Sequence, residues 1–196
     1  MALSKIDMSK MTTGTLGVAN GGTGLTSGTT DQILKFTGTT TLASAADNGK
    51  VGQVIQNVIT SGNTASTSTT FIATSHLVAI TPSATSSNIL VNFGFQQGSQ
   101  TSNRYPRFRI YRDIGGGGYS HLSNGVDGEP HEQGGTYHNA GMVITTQCSL
   151  SFYDDPNTTS ACTYKVYMSL QDTTGTVNIY GESNIYGYAT AMEILA

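Results

Sequence analysis

Along the C-terminal third of the chain, apolar residues recur at every second position. Met142, Ile144, Cys148, Leu150 and Phe152 share one parity, as do Cys162, Tyr164, Val166, Met168 and Leu170, and Tyr186, Tyr188, Met192 and Ile194 repeat the pattern in the final run. A period of two is the mark of strands with one face turned to a core. A chain that ends inside such a run is expected to have that end tied into a sheet. Further strands are expected at about 53–60, 70–81, 88–95 and 107–114, separated by a Ser/Thr turn at 61–69 and a loop at 82–87. In the third of these Ile89, Val91, Phe93 and Phe95 share a face; in the fourth Phe108 and Ile110 oppose Arg107, Arg109 and Tyr111. A solvated strand rarely interleaves Arg with Tyr, so that side is expected to meet another surface, a neighbouring subunit first and a ligand second. Gly115–Gly118 then predicts a hairpin into Tyr119–Leu122, because glycines tolerate positive φ.

Before Gly49 the pattern fails. Residues 2–11 carry Leu3, Ile6, Met8 and Met11 at irregular spacing, enough for about two turns of a marginal helix that would order only against a partner. From 12 to 48 the large apolar residues are sparse: Leu16, Val18, Leu25, Ile33, Leu34, Phe36 and Leu42. So little apolar surface does not offset an ordering cost of roughly 1–2 kcal/mol per residue, so a lone chain should be disordered here. Three intertwined copies could bring each Leu or Val against its symmetry mates. The expected organisation is an attachment arm over 1–11, a Gly/Thr/Ser-rich trimeric stalk over 12–49 and a β-sandwich head over 50–196.

The run Val18-Ala-Asn-Gly-Gly-Thr-Gly-Leu-Thr-Ser27, followed by Thr30-Asp-Gln-Ile-Leu34, resembles stalk segments that recur in bacteriophage tail-fibre proteins. Ser83–Val91, Asp155–Val166 and Ala191–Ile194 resemble pieces of the C-terminal domains of phage fibre proteins, whose heads are similar to the trimeric jelly rolls of the C1q and tumour-necrosis-factor kind. The resemblance implies an all-β protein with an antiparallel jelly-roll head on an extended N-terminal stalk, assembled as a homotrimer. No site residue transfers with it, because a long polar insert at 123–140 interrupts the pattern.

Composition narrows the function. Charged residues are 11% and Gly numbers 24, unlike a monomeric enzyme that keeps itself soluble with charge. A net charge of −3 offers no footprint for nucleic acid, despite Arg104, Arg107, Arg109 and Arg112. No window reaches the length of a membrane span, and residues 1–11 lack the apolar core of a secretory signal. The two cysteines, Cys148 and Cys162, fit buried thiols, with a cross-strand disulfide as the other reading.

Candidate chemistry is thin. A Gly-rich phosphate loop at 21–24 lacks the preceding strand, the following helix and the closing Lys-Ser or Lys-Thr pair. His121, His131 and His138 match no compact metal-ligand spacing, and no cofactor is expected. Asp154 and Asp155 read as a turn before Pro156 rather than an acid–base pair; Asp127 with Glu129 is the better pair for a depolymerase. A long insert in a compact domain is usually functional or disordered, so the candidate receptor contacts are Tyr119, His121, Asp127, Glu129, His131, Tyr137 and His138. The expectation is a non-enzymatic virion fibre or spike. Its partners would be two further copies of itself, other virion proteins through residues 1–11, and a bacterial surface receptor, polysaccharide included. A capsid-bound head fibre or decoration protein and a depolymerase spike stand as alternatives.

Overall fold

Strand-forming β-branched and aromatic residues at alternate positions assemble into three antiparallel sheets. In this computed structural model the described residues are 29, 32–39, 41–45, 50–99, 106–122, 133–134, 144–170, 175–181 and 186–195, and none of them is helical. The chain divides into two units, 1–48 and 49–196.

In the first unit β1 (Ile33–Phe36) pairs with β2 (Leu42–Ala45). The Thr37 N–H donates to the Thr41 carbonyl, and the Ser44 hydroxyl donates to Gln32 Oε1. This hairpin departs from the expectation of disorder in a lone chain. Ile33, Leu34 and Phe36 all remain exposed, and a two-stranded ribbon with uncovered apolar residues is marginal in water.

The second unit contains β3 (Val51–Ile59), β4 (Thr64–Ser66), β5 (Ile72–Ile80), β6 (Asn88–Ser99), β7 (Pro106–Ile114), β8 (Ser120–His121), β9 (Gln133–Gly134), β10 (Ile144–Asp154), β11 (Cys162–Leu170), β12 (Val177–Tyr180) and β13 (Gly187–Ile194). β6 pairs along one edge with β10 and along the other with β13 and then β12. β13 and β12 pair in turn with β3 and β4. Taken in pairs, β3 with β4 and β12 with β13 are therefore single strands interrupted at the same level. There the Gly181 N–H donates to Asn63 Oδ1, and an added Cβ at Gly181 would lie 2.8 Å from Ile59 and 3.0 Å from the Ser61 carbonyl oxygen. The other sheet runs β5–β11–β7, with β8 and β9 on the outer edge of β7. Counted as eight positions in chain order among the described residues, one sheet reads 1-8-3-6 and the other 2-7-4-5. That is the strand order of a jelly roll.

Between the sheets Ile89, Val91, Phe93 and Phe95 of β6 meet Phe108 and Ile110 of β7, Leu150 and Phe152 of β10, and Tyr164, Val166 and Met168 of β11. Phe95 and Phe108 pack edge to face at 4.9 Å. The expected parities hold in these strands. They fail in β13: Gly187, Ala189, Ala191 and Glu193 are the buried set, while Tyr188 and Met192 point outward. The position against His76 leaves no room for a larger group, since a Cβ on Gly187 would stand 2.3 Å from the imidazole Nε2. β4 and β12 also go beyond the predicted elements; β4 occupies the segment read as a Ser/Thr turn.

Polar ties close one end of the sandwich. Asp154 and Glu193 both oppose Ile89 in the register, one on each side, so they sit on either flank of β6. Asp154 accepts two hydrogen bonds from Arg112 Nη1, at 2.8 and 2.7 Å, and one from the Tyr164 hydroxyl at 2.7 Å, joining β10 to the opposite sheet. Glu193 accepts from the Ser83 N–H and hydroxyl, both at 2.6 Å, and from Gln53 Nε2 at 2.8 Å. Gln53 and Asn57 also donate to the Thr81 and Leu77 carbonyls, satisfying one acceptor just past β5 and one within it.

Two buried groups tie stability to pH. Burial pushes the His76 imidazole from 6.5 down to about 4, against the opposing effect of the Tyr180 backbone carbonyl, which accepts from the protonated ring. Burial would by itself raise the Glu193 carboxyl, but hydrogen bonds from Ser83, Gln53 and Ser87 outweigh it and hold the group at about 2. Both folded-state values lie below the unfolded ones, so the unfolded chain binds more protons and stability falls as pH falls. The His76 share is lost between pH 6.5 and about 4, and the Glu193 share between 4.5 and about 2. Each is worth on the order of 3 kcal/mol at 1.36 kcal/mol per pKa unit. Urea unfolding against pH should therefore show two acid-side limbs; His76→Leu should flatten the upper and Glu193→Gln the lower, and an unchanged profile in both variants would contradict the assignment.

Candidate functional site

The sandwich turns two chemically opposite faces to the outside. On the 2-7-4-5 sheet, alternation places Arg107, Arg109, Tyr111 and Asp113 of β7 outward beside Lys165 and Tyr167 of β11, with Tyr111 opposite Lys165 and Arg109 opposite Tyr167. Gly115, Gly116 and Gly118 adopt positive φ, and the Gly118 N–H donates to Asp113 Oδ1. This turn brings Tyr119 and His121 back alongside β7, with His121 opposite Tyr111.

The resulting side chains form a continuous ladder. Tyr111 and Tyr167 stack with centroids 4.0 Å apart and planes at 26°. Tyr119 flanks Tyr167 at 5.8 Å; His121 and Phe71 flank Tyr111 at 5.4 and 6.5 Å. Cations stand at both ends, Lys165 over Tyr119 at 4.8 Å and Arg109 over Phe71 at 4.2 Å, with Arg107 at 5.5 Å. Such contacts contribute about 0.5–1 kcal/mol at exposed sites, so they fix the side chains more than they stabilise the fold. Burial raises the Tyr167 phenol, with Tyr119, Tyr111 and Asp113 adding to it, and burial followed by Asp113 raises Tyr119. These two hydroxyls stay protonated at neutral pH.

The outward face of the 1-8-3-6 sheet carries no charge over twelve positions in three cross-strand rows. These rows are Val58–Tyr188–Gly94–Ser149, Gln56–Thr190–Asn92–Ser151 and Val54–Met192–Leu90–Tyr153. Val54, Val58, Tyr153 and Tyr188 are 51%, 53%, 57% and 43% exposed, too much apolar surface on one charge-free face to be scattered exposure. The Tyr188 ring lies across Gly94, where a Cβ would come within 2.2 Å of it. That glycine lets the ring lie flat on the sheet.

Among the described residues the buried cysteines and Asp154 are held apart or already paired. Cys148 and Cys162 are free and buried, in opposite sheets, and burial pushes the Cys148 thiol up to about 11. Asp154, read as part of a turn, ends β10 and is occupied by Arg112 and Tyr164, while Asp155 is exposed. Tyr164, read as core or trimer axis, is wholly buried in the core. Among the described residues no cluster of three metal-ligating side chains occurs, and no helix is long and apolar enough to cross a membrane.

Of the candidate receptor contacts, Tyr119 and His121 stand together on the ladder. Asp127, Glu129, His131, Tyr137 and His138 lie outside the described residues. Phe71, Lys165 and Tyr167 were not foreseen. Tyr167 and Lys165 alternate with the buried parity of β11, but only the pairing of β11 with β7 places them beside Tyr111 and Arg109.

No protein-family model and no curated protein matches the chain. Solved structures of infectious bursal disease virus are similar to it. They include its VP2 subviral particle, with 10% identity and a TM-score of 0.41 over 83% of this chain and 42% of that one. Another is the structure of the Gt strain, with 11% identity and a TM-score of 0.39 over 85% and 43%. The chain spans less than half the length of these solved chains, and at this similarity no residue role is carried across. The class that the strands define is an all-β antiparallel sandwich with jelly-roll strand order.

Removing the ring that links Tyr111 to Tyr119 tests the ladder. Tyr167→Ala should reduce the near-ultraviolet circular dichroism and cost about 1–3 kcal/mol, the sum of two aromatic pairs. A spectrum and urea midpoint equal to the parent's would show that the rings do not pack on one another.

Proposed function

We propose that the chain is a non-enzymatic structural component of a phage virion, a homotrimeric tail fibre or spike whose head meets the host surface. The observation that carries this reading is the charge-free outward face of the 1-8-3-6 sheet, with its half-exposed Val54, Val58, Tyr153 and Tyr188. Where three identical copies meet around an axis, charges of one sign close to that axis are brought together. An uncharged, apolar face avoids that cost and gains from burial at about 25 cal/mol per Å². The stalk resemblance at 18–34 and the sparse apolar residues before Gly49 point the same way, since both favour several chains sharing one axis. Residues 1–11 are the proposed attachment to other virion proteins, and whether these belong to tail or capsid separates a fibre from a head-decoration role.

Light scattering on the full-length protein should give three times the chain mass. Val54→Lys with Val58→Lys puts two like charges from each copy into the proposed contact and should shift the mass toward that of one chain. A monomeric parent, or a double variant that stays trimeric, would overturn this assembly.

A further inference from the structure

Assembly through the uncharged face leaves the ladder on the opposite sheet without a role, and its chemistry names a ligand. We propose that the outward face of β5, β11, β7 and β8 binds an acidic polysaccharide, a glycan chain bearing carboxylates on its sugar rings. The inference rests on the host-surface reading for its biological setting and on the ladder alone for its chemistry.

The charged groups among the described residues of this face are Arg107, Arg109, Lys165 and Asp113, and Arg107 Nη2 also donates to the Leu170 and Thr69 carbonyls at 2.9 and 3.3 Å. Arg donates in a planar fork that matches a carboxylate, while Lys acts as a point charge. Lys165 lies at the Tyr119 end of the ladder and the arginines lie at the Phe71 end, with the Tyr111–Tyr167 stack between them. A single small anion would be served by clustered cations. Cations spaced by phenols suit a polymer that alternates acid groups with hydroxyls, because a phenol O–H both donates and accepts. Ring contacts and cation–π contacts already hold these side chains, which lowers the ordering cost of binding.

Another occupant fits less well. A two-fold-related second copy would set the same three cations against themselves.

The chain contains no Trp and ten Tyr, three of them on the ladder, so the ligand-induced change in tyrosine emission is compared with that of Tyr167→Ala to isolate the ladder's share. Full-length protein titrated with polygalacturonate should show a saturable change, absent with neutral dextran and weaker with dextran sulfate. Arg109→Gln with Lys165→Gln should weaken the polygalacturonate response about tenfold or more, a loss of roughly 1.4 kcal/mol. Asp113→Asn keeps the acceptor for Gly118 and should tighten binding, an outcome that misfolding cannot imitate. No response to polygalacturonate, an equal response to dextran, or unchanged affinity in these variants would overturn the proposal. Tighter binding of dextran sulfate would overturn the carboxylate assignment in favour of charge alone. Light scattering on the same samples separates the two readings: a trimer that ignores polygalacturonate sinks only this inference, and a monomer that binds it sinks only the assembly.

Discussion

The unequal division of charge between the two outward faces governs what this sandwich can do. An antiparallel sheet needs only its inner side apolar, and the outer side is usually the soluble one. Here the 2-7-4-5 sheet follows that rule with Arg107, Arg109, Asp113 and Lys165, while the 1-8-3-6 sheet replaces charge with Val, Tyr, Met and small amides and hydroxyls. β13 shows the departure most clearly, because Tyr188 and Met192 point away from the core and Gly187, Ala189 and Ala191 point into it. Val54 and Val58 of β3 add to the apolar surface that the proposed contact between copies would cover.

Rigid presentation of both faces depends on how the layers are held together. Asp154 and Glu193 flank Ile89 about 10 Å apart, two strand spacings, and reach into the opposite sheet through Arg112 and Tyr164 and into the segment after β5 through Ser83. Breaking a buried charged tie of this kind costs more than the tie contributes, because the remaining partner is left unsatisfied. The ties fix where β7 and β11 lie relative to β6. The ladder on β7 and β11 inherits that rigidity.

Much of the fold was legible in the sequence. Alternation at 88–95, 107–114 and 162–170 identified β6, β7 and β11 together with their buried residues, and the glycines at 115–118 marked the hairpin. Three things were not legible, each for a physical reason. The parity of β13 was misread because Tyr188 and Met192 look like core residues when no partner surface is considered. The short strands β4 and β12 escaped because three or four residues carry too little period to be seen, and their stability comes from continuing β3 and β13. The ladder was half visible: Arg107, Arg109, Tyr111 and Tyr119 stood out, but Lys165 and Tyr167 join them only through pairing across some fifty residues of chain, which no local pattern encodes.

Tyrosine nitration of the native full-length protein, followed by peptide mapping, tests the division of the two faces most directly. Tyr153 and Tyr188 should be protected in the native assembly and become reactive when it is dissociated. Tyr111, Tyr119 and Tyr167 should react alike in both states. Full reactivity of Tyr153 and Tyr188 in the native protein would contradict the account, because the uncharged face would then be open to water.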